Sequence, residues 1–198
     1  MLAAISKKIT SYFIRKNIIN EDEREVYNYC FEIMLSTLMN LVVLIIIGVA
    51  TKKYLETLIF CISFVMLRGS VGGYHAKRHI TCLLSIVIIY FAVMAMLYIP
   101  MFVLQYFSIA VLMTGIAIFA FLAPTDTQNK RLSVAEKSKL RKKTYVIILI
   151  FLIACAVFAL FEKTTIYAYC ICGVVFSVSM LVVAGRLDNI VQKKQCRQ

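Results

Sequence analysis

Six apolar runs, at 34–50, 54–67, 80–99, 101–123, 145–161 and 166–184, alternate with short polar segments along the chain. Several approach or exceed the ~20 residues with which an α-helix crosses a bilayer. Only a helix satisfies its own backbone groups in lipid, so each run is predicted to be helical. The run at 54–67 is the short one. Its length corresponds to a rise of about 21 Å, less than the ~30 Å hydrocarbon core. It also contains Glu56, and is expected either to thin the bilayer or to be partly re-entrant. Ahead of the first run, Leu2, Ile5, Ile9 and Phe13 recur about one turn apart, while Lys7, Lys8, Arg15 and Lys16 fall largely elsewhere. That pattern predicts an amphipathic helix within residues 1–19, lying in the membrane interface. Asn20 and the acids after it read as the N-cap and first turn of a second helix leading into the first span. The expected fold is an all-α polytopic membrane protein of about six transmembrane helices, organised as one integral-membrane domain over residues 1–198.

Composition sharpens this picture. Apolar residues make up 62% of the 198 positions and the mean hydropathy is +0.85, against 45–50% apolar in soluble domains. The net charge of +12 would suggest nucleic acid in a soluble protein. Here no basic groove with interleaved aromatics is visible, and no nucleic-acid partner is expected. Nineteen of the 22 lysines and arginines fall on alternate polar segments. The positive-inside rule then predicts that both termini, segment 68–82 and loop 124–144 are cytoplasmic and face anionic lipid heads. The seven cysteines, Cys30, Cys61, Cys82, Cys155, Cys170, Cys172 and Cys196, are odd in number, and four of them, Cys61, Cys155, Cys170 and Cys172, lie well inside apolar runs. That argues against a disulfide framework and for small apolar fillers. No cleavable signal peptide is read at the start.

Segment 68–82 concentrates the candidate chemistry. It holds both histidines, His75 and His79, the pair Gly72-Gly73, the bases Arg68, Lys77 and Arg78, and Cys82. Cys82 falls just past the predicted start of a membrane helix. A helix N-terminus and basic neighbours are surroundings in which a cysteine becomes a nucleophile. His75 lies seven residues upstream, too far for proton transfer along one continuous helix. If Gly72-Gly73 lets the chain fold back, His75 reaches Cys82 as a general base, and loop amides can face a developing oxyanion. A rival reading takes His75, His79 and Cys82, at i, i+4 and i+7, as zinc ligands on one helix face. Loop 124–144 carries a second basic cluster, Lys137, Lys139, Arg141, Lys142 and Lys143, after Ser133-Val-Ala-Glu136, which fits a capping box. The cluster reads as a topology anchor in contact with lipid, or as a binding site for an acidic substrate tail. Gly173-x3-Ser177 is a small-residue pair able to pack helices.

Arg68-x3-Gly72-Gly73-x-His75-Ala76-x5-Cys82 resembles the signature of the accessory gene regulator B family, membrane cysteine endopeptidases of Gram-positive quorum sensing. The resemblance extends to chain length, the basic amphipathic start and the Ala123-Pro124 turn into a basic loop. It departs at Arg131, where relatives often have proline. It implies His75 and Cys82 as catalytic residues, Arg68 as a required arginine, no cofactor, and a homodimer in the bacterial cell membrane. It also implies the partner, a short precursor peptide with an acidic C-terminal tail. Cys82 would cleave before that tail through a thioester, and an internal cysteine or serine of the peptide would then close a thiolactone or lactone ring. A small membrane transporter or export component is the competing class. It would need ionisable groups deep in the bundle or inverted repeats; Glu56 alone fits, and no repeat is visible.

Overall fold

The computed structural model describes residues 2–71, 79–123 and 134–195; the side chains of His79, Val134 and residues 188–195 lie outside that description. Among the described residues there are seven α-helices: α1 (Leu2–Arg15), α2 (Arg24–Ala50), α3 (Tyr54–Val71), α4 (His79–Met96), α5 (Met101–Leu122), α6 (Val134–Ala159) and α7 (Thr165–Gln195). One 3-10 turn (Glu21–Glu23) precedes α2, and no strand occurs among the described residues. The protein is an all-α polytopic membrane protein. Among the described residues five helices are long and apolar enough to cross a membrane: Glu21–Ala50, Tyr54–Val71, Met101–Leu122, Ala135–Ala159 and Thr165–Leu187. The sixth expected span, Ile80–Met96, is apolar but shorter.

The run at 54–67, expected to be the short one, belongs to a helix of 18 residues, the same length as α4. Helix α3 does not stop at the last apolar residue but continues through Arg68, Gly69 and Ser70 to Val71. Polar residues extend it because their groups are satisfied locally. Ser70, fully buried, donates to the Met66 carbonyl at 3.0 Å.

The chain forms two compact units, residues 1–51 and 52–198. In the first, α1 packs on α2. The helix is where the apolar spacing predicted it, but its most buried residues are small and polar. Ser6 and Thr10 are buried and bond back to the carbonyls of Ala3 and Ser6 at 3.1 and 3.0 Å, while Ile5 and Tyr12 stay exposed. Phe13 stacks on Phe31 of α2 with ring centroids 5.6 Å apart. Helix α1 ends in a Schellman turn: Asn17 takes φ 54°, its amide bonds Ile14 O at 2.9 Å, and the Ile18 amide bonds Phe13 O at 3.1 Å. Asparagine is among the few residues other than glycine suited to that left-handed position. Asn20 stands before the 3-10 turn as expected, but without a side-chain cap bond. Arg24 closes the turn instead, pairing with Glu21 at 2.6 and 3.1 Å.

The second unit is organised around α7, which packs on α3, α4, α5 and α6. Lipid tails provide no hydrophobic drive between helices, so association depends on close backbone approach and buried hydrogen bonds. Both are present. Gly115 of α5 sits against Val175, and Gly173 of α7 sits against Val93 of α4. Ser177 bonds the Gly173 carbonyl at 2.8 Å, so Gly173 of the small-residue pair is engaged inside the chain. The hydroxyls of Thr57 on α3 and Tyr90 on α4 lie 2.7 Å apart in the interior, with Phe60 set edge-on against Tyr90.

Candidate functional site

Arg68 and Cys82 stand at facing ends of consecutive helices. Arg68 lies in the last turn of α3 and Cys82 is the fourth residue of α4. Both are half-buried, and the guanidinium is within electrostatic range of the thiol. Around Cys82, the Ser85 hydroxyl is turned back to the Thr81 carbonyl at 2.8 Å. His75, Gly72 and Gly73 lie outside the described residues. His79 opens α4 in the backbone, but its side chain also lies outside them. Neither the His75–Cys82 pairing nor the His75–His79–Cys82 metal reading is therefore described. Among the described residues no cluster of three or more histidine, cysteine or acidic side chains could hold a metal ion.

The second cluster occupies a different element from the one expected. Residues 137–143 are not in a loop: α6 begins at Val134, so the five basic residues ride on its first turns. Lysine and arginine are good helix formers, and hydropathy alone does not mark where such a helix begins. Lys139, Arg141, Lys142 and Lys143 are exposed, and Lys137 is half-buried. Arg141 has a structural bond: its Nη2 donates to the Ala120 carbonyl at 2.7 Å. Ala120 lies in the last turn of α5, whose carbonyls have no partner within the helix, and a cation there also complements the helix dipole. Ser133 lies outside the described residues, so the capping box is not described; its partner Glu136 lies in the first turn of α6.

One grouping escaped the linear reading. Cys61, Cys155 and Cys172, on α3, α6 and α7, lie within electrostatic range of Cys170, with Cys155 half-exposed and the other three buried. The thiol of Cys170 donates to the Glu56 carbonyl at 3.7 Å, tying α7 to α3. Their separation along the chain left no sequence signal.

Comparison with known proteins gives a consistent result. The family model described as accessory gene regulator B matches residues 6–182. The chain is similar to AgrB-like protein 2 of Clostridium perfringens strain 13, at 29% identity over 150 residues, covering 72% of this chain and 70% of that protein. An AgrB-like protein of Clostridium perfringens strain SM101 matches at the same identity and coverage. Protein FsrB of Enterococcus faecalis strain OG1RF is 25% identical over 177 residues, covering 86% of this chain and 72% of that protein. No solved structure matches the chain. Matched along most of its length, the chain belongs to the accessory gene regulator B family and takes part in quorum-sensing peptide processing.

Proposed function

We propose that this protein is a membrane cysteine endopeptidase and peptide cyclase, with Cys82 as nucleophile and His75 as general base. The observation that carries the reading is the placement of Arg68 within electrostatic range of Cys82, at the two ends of a link containing Gly72, Gly73 and His75. His75 accepts the Cys82 proton as sulfur attacks the carbonyl before the tail of a short precursor peptide. The same proton then passes to the departing amine, and the upstream peptide remains as a thioester. An internal cysteine or serine of the peptide attacks this thioester and closes the ring, the C–S bond to Cys82 breaks, and the attacking group's proton passes through His75 to restore the Cys82 thiol. Cyclisation wins over hydrolysis because the internal nucleophile is held close, whereas water is scarce at the membrane boundary. Amides near Gly72-Gly73 stabilise the oxyanion, and Arg68 positions the loop or a substrate carboxylate. The exposed lysines of α6 match an acidic tail in sign. The charge asymmetry supports a cytoplasmic site with both termini inside, and the family resemblance supports a homodimer in the cell membrane.

The test uses a precursor whose ring-forming cysteine is replaced by alanine. The first step can then proceed but the second cannot. A tail-less peptide should accumulate on Cys82 and be released by neutral hydroxylamine. Cys82→Ala should abolish cleavage, and His75→Ala should slow adduct formation. Cleavage that survives loss of Cys82 and stops with a chelator would overturn the cysteine mechanism in favour of the zinc reading.

A further inference from the structure

Helices α6 and α7 form a hairpin closed by the turn at 160–164. There the Thr164 hydroxyl bonds the Phe158 and Phe161 carbonyls at 2.9 and 3.1 Å. The rings of Phe158 and Tyr167 meet edge-on, 5.7 Å apart, which fixes the register of the hairpin. Four residues before Ala159, where α6 ends, the Cys155 thiol reaches across to the Ala168 carbonyl at 3.7 Å. Ala168 and Cys172 lie four residues apart and share one face of α7, so Cys155 stands against the turn that ends in Cys172. The two thiols lie within interaction range of each other. Cys170 faces another way, toward Glu56 of α3. Exposure divides the pair: Cys155 is half-exposed at the rim of the hairpin, while Cys172 is 5% exposed. Both are free thiols.

We propose that Cys155 and Cys172 are a redox modification site, closed to a reversible disulfide by hydroperoxides dissolved in the bilayer. The half-exposed thiol reacts first. Cys155 displaces the alcohol from the hydroperoxide, taking one oxygen to become a sulfenic acid and releasing one molecule of alcohol. The Cys172 thiol then attacks that sulfur and expels water. Over the two steps the thiols lose two protons and two electrons, and the hydroperoxide is reduced to alcohol and water. A nearby second thiol that captures a sulfenic acid stops oxidation at the reversible stage. The product bonds α6 covalently to α7, the helix on which α3, α4 and α5 also pack. The inference is independent of the reaction assigned to Cys82.

The full chain in membrane vesicles is treated with cumene hydroperoxide, digested without reduction and mapped by mass spectrometry. A peptide pair joined through Cys155 and Cys172 should appear, and dithiothreitol should remove it. In the Cys172→Ala variant the sulfenic acid has no partner, and dimedone should label Cys155. In Cys155→Ala, Cys172 should remain a free thiol. Absence of the joined peptide in the native chain, joining of Cys155 to Cys170 instead, or dimedone labelling confined to Cys30 and Cys82 would overturn the proposal.

Discussion

Gly115 offers a direct measure of how tightly α5 seats on α7. A Cβ placed on it lies 3.0 Å from Val175 Cγ1, 3.3 Å from the Val175 carbonyl oxygen and 3.4 Å from Phe176 Cα. Two of these three neighbours are backbone. Val175 is 1% exposed, so its side chain has little room to turn away. Gly115→Ala therefore forces the two helices apart by a few tenths of an ångström, an overpacking cost of about 1–3 kcal/mol. Alanine is also the better helix former, by ~1 kcal/mol, which offsets part of that cost. Gly69→Ala removes this ambiguity. Gly69 is also helical, in α3, and a Cβ there meets nothing within 4 Å. Both substitutions carry the same propensity gain, so their difference isolates the packing term. At ~2–4 °C per kcal/mol for a chain of this size, the two variants should differ in Tm by roughly 5 °C. Heating the purified protein in one detergent and following the loss of monodisperse material on size exclusion reads the difference. A Gly115→Ala variant as stable as Gly69→Ala would refute the close α5–α7 approach.

Arg141→Gln should lower Tm by a few degrees, because it frees the Ala120 carbonyl, a bond worth about 1 kcal/mol at an exposed site. Joint replacement of Lys139, Lys142 and Lys143 by Gln should leave Tm unchanged and raise the KM for a precursor with an acidic tail; unchanged processing kinetics would reduce the lysines to a topology anchor. Arg68→Gln should slow alkylation of Cys82 by iodoacetamide several-fold, and Arg68→Lys should restore most of the rate, since the charge rather than the fork geometry acts on the sulfur. Equal rates in all three proteins would remove Arg68 from the site. Cysteines introduced at 128 and 138 should resist an impermeant maleimide in intact cells and react after lysis; labelling before lysis would reverse the proposed orientation.

What could be read from the sequence was local. The signature of the candidate site fits within fifteen consecutive residues, so its residue types and spacing were visible without a fold. The apolar runs likewise marked the helices, because lipid leaves the backbone no alternative. The ends of those helices were not visible. Hydropathy reports where lipid is, whereas a helix persists as long as its polar groups find partners. Ser70 bonds Met66, Arg68 lies within electrostatic range of Cys82, and α3 runs four residues past its apolar stretch. The same error placed residues 137–143 in a loop. Long-range groupings were equally hidden: Cys61 and Cys155 come within electrostatic range of Cys170 only because α7 packs on both α3 and α6.

Basic side chains on the first turns of a helix oppose its dipole, whose N-terminal end is already positive. Helix stability alone would put acids there, and Glu136 is the one acid in the first turn of α6. Arg141 has a compensating bond, to the end of α5. Lys139, Lys142 and Lys143 lie past that turn and are exposed, free to meet partners outside the helix. Anionic lipid heads supply one at about 1 kcal/mol for each charge near the surface, which acts on every cation at that depth alike. An acidic peptide tail supplies another, and it differs in requiring particular positions. Exchanging Lys139 with its exposed neighbour Ser138, with the total charge kept, therefore separates the two. Lipid anchoring would be unaffected, whereas recognition of a tail would weaken as that charge rotates ~100° around α6.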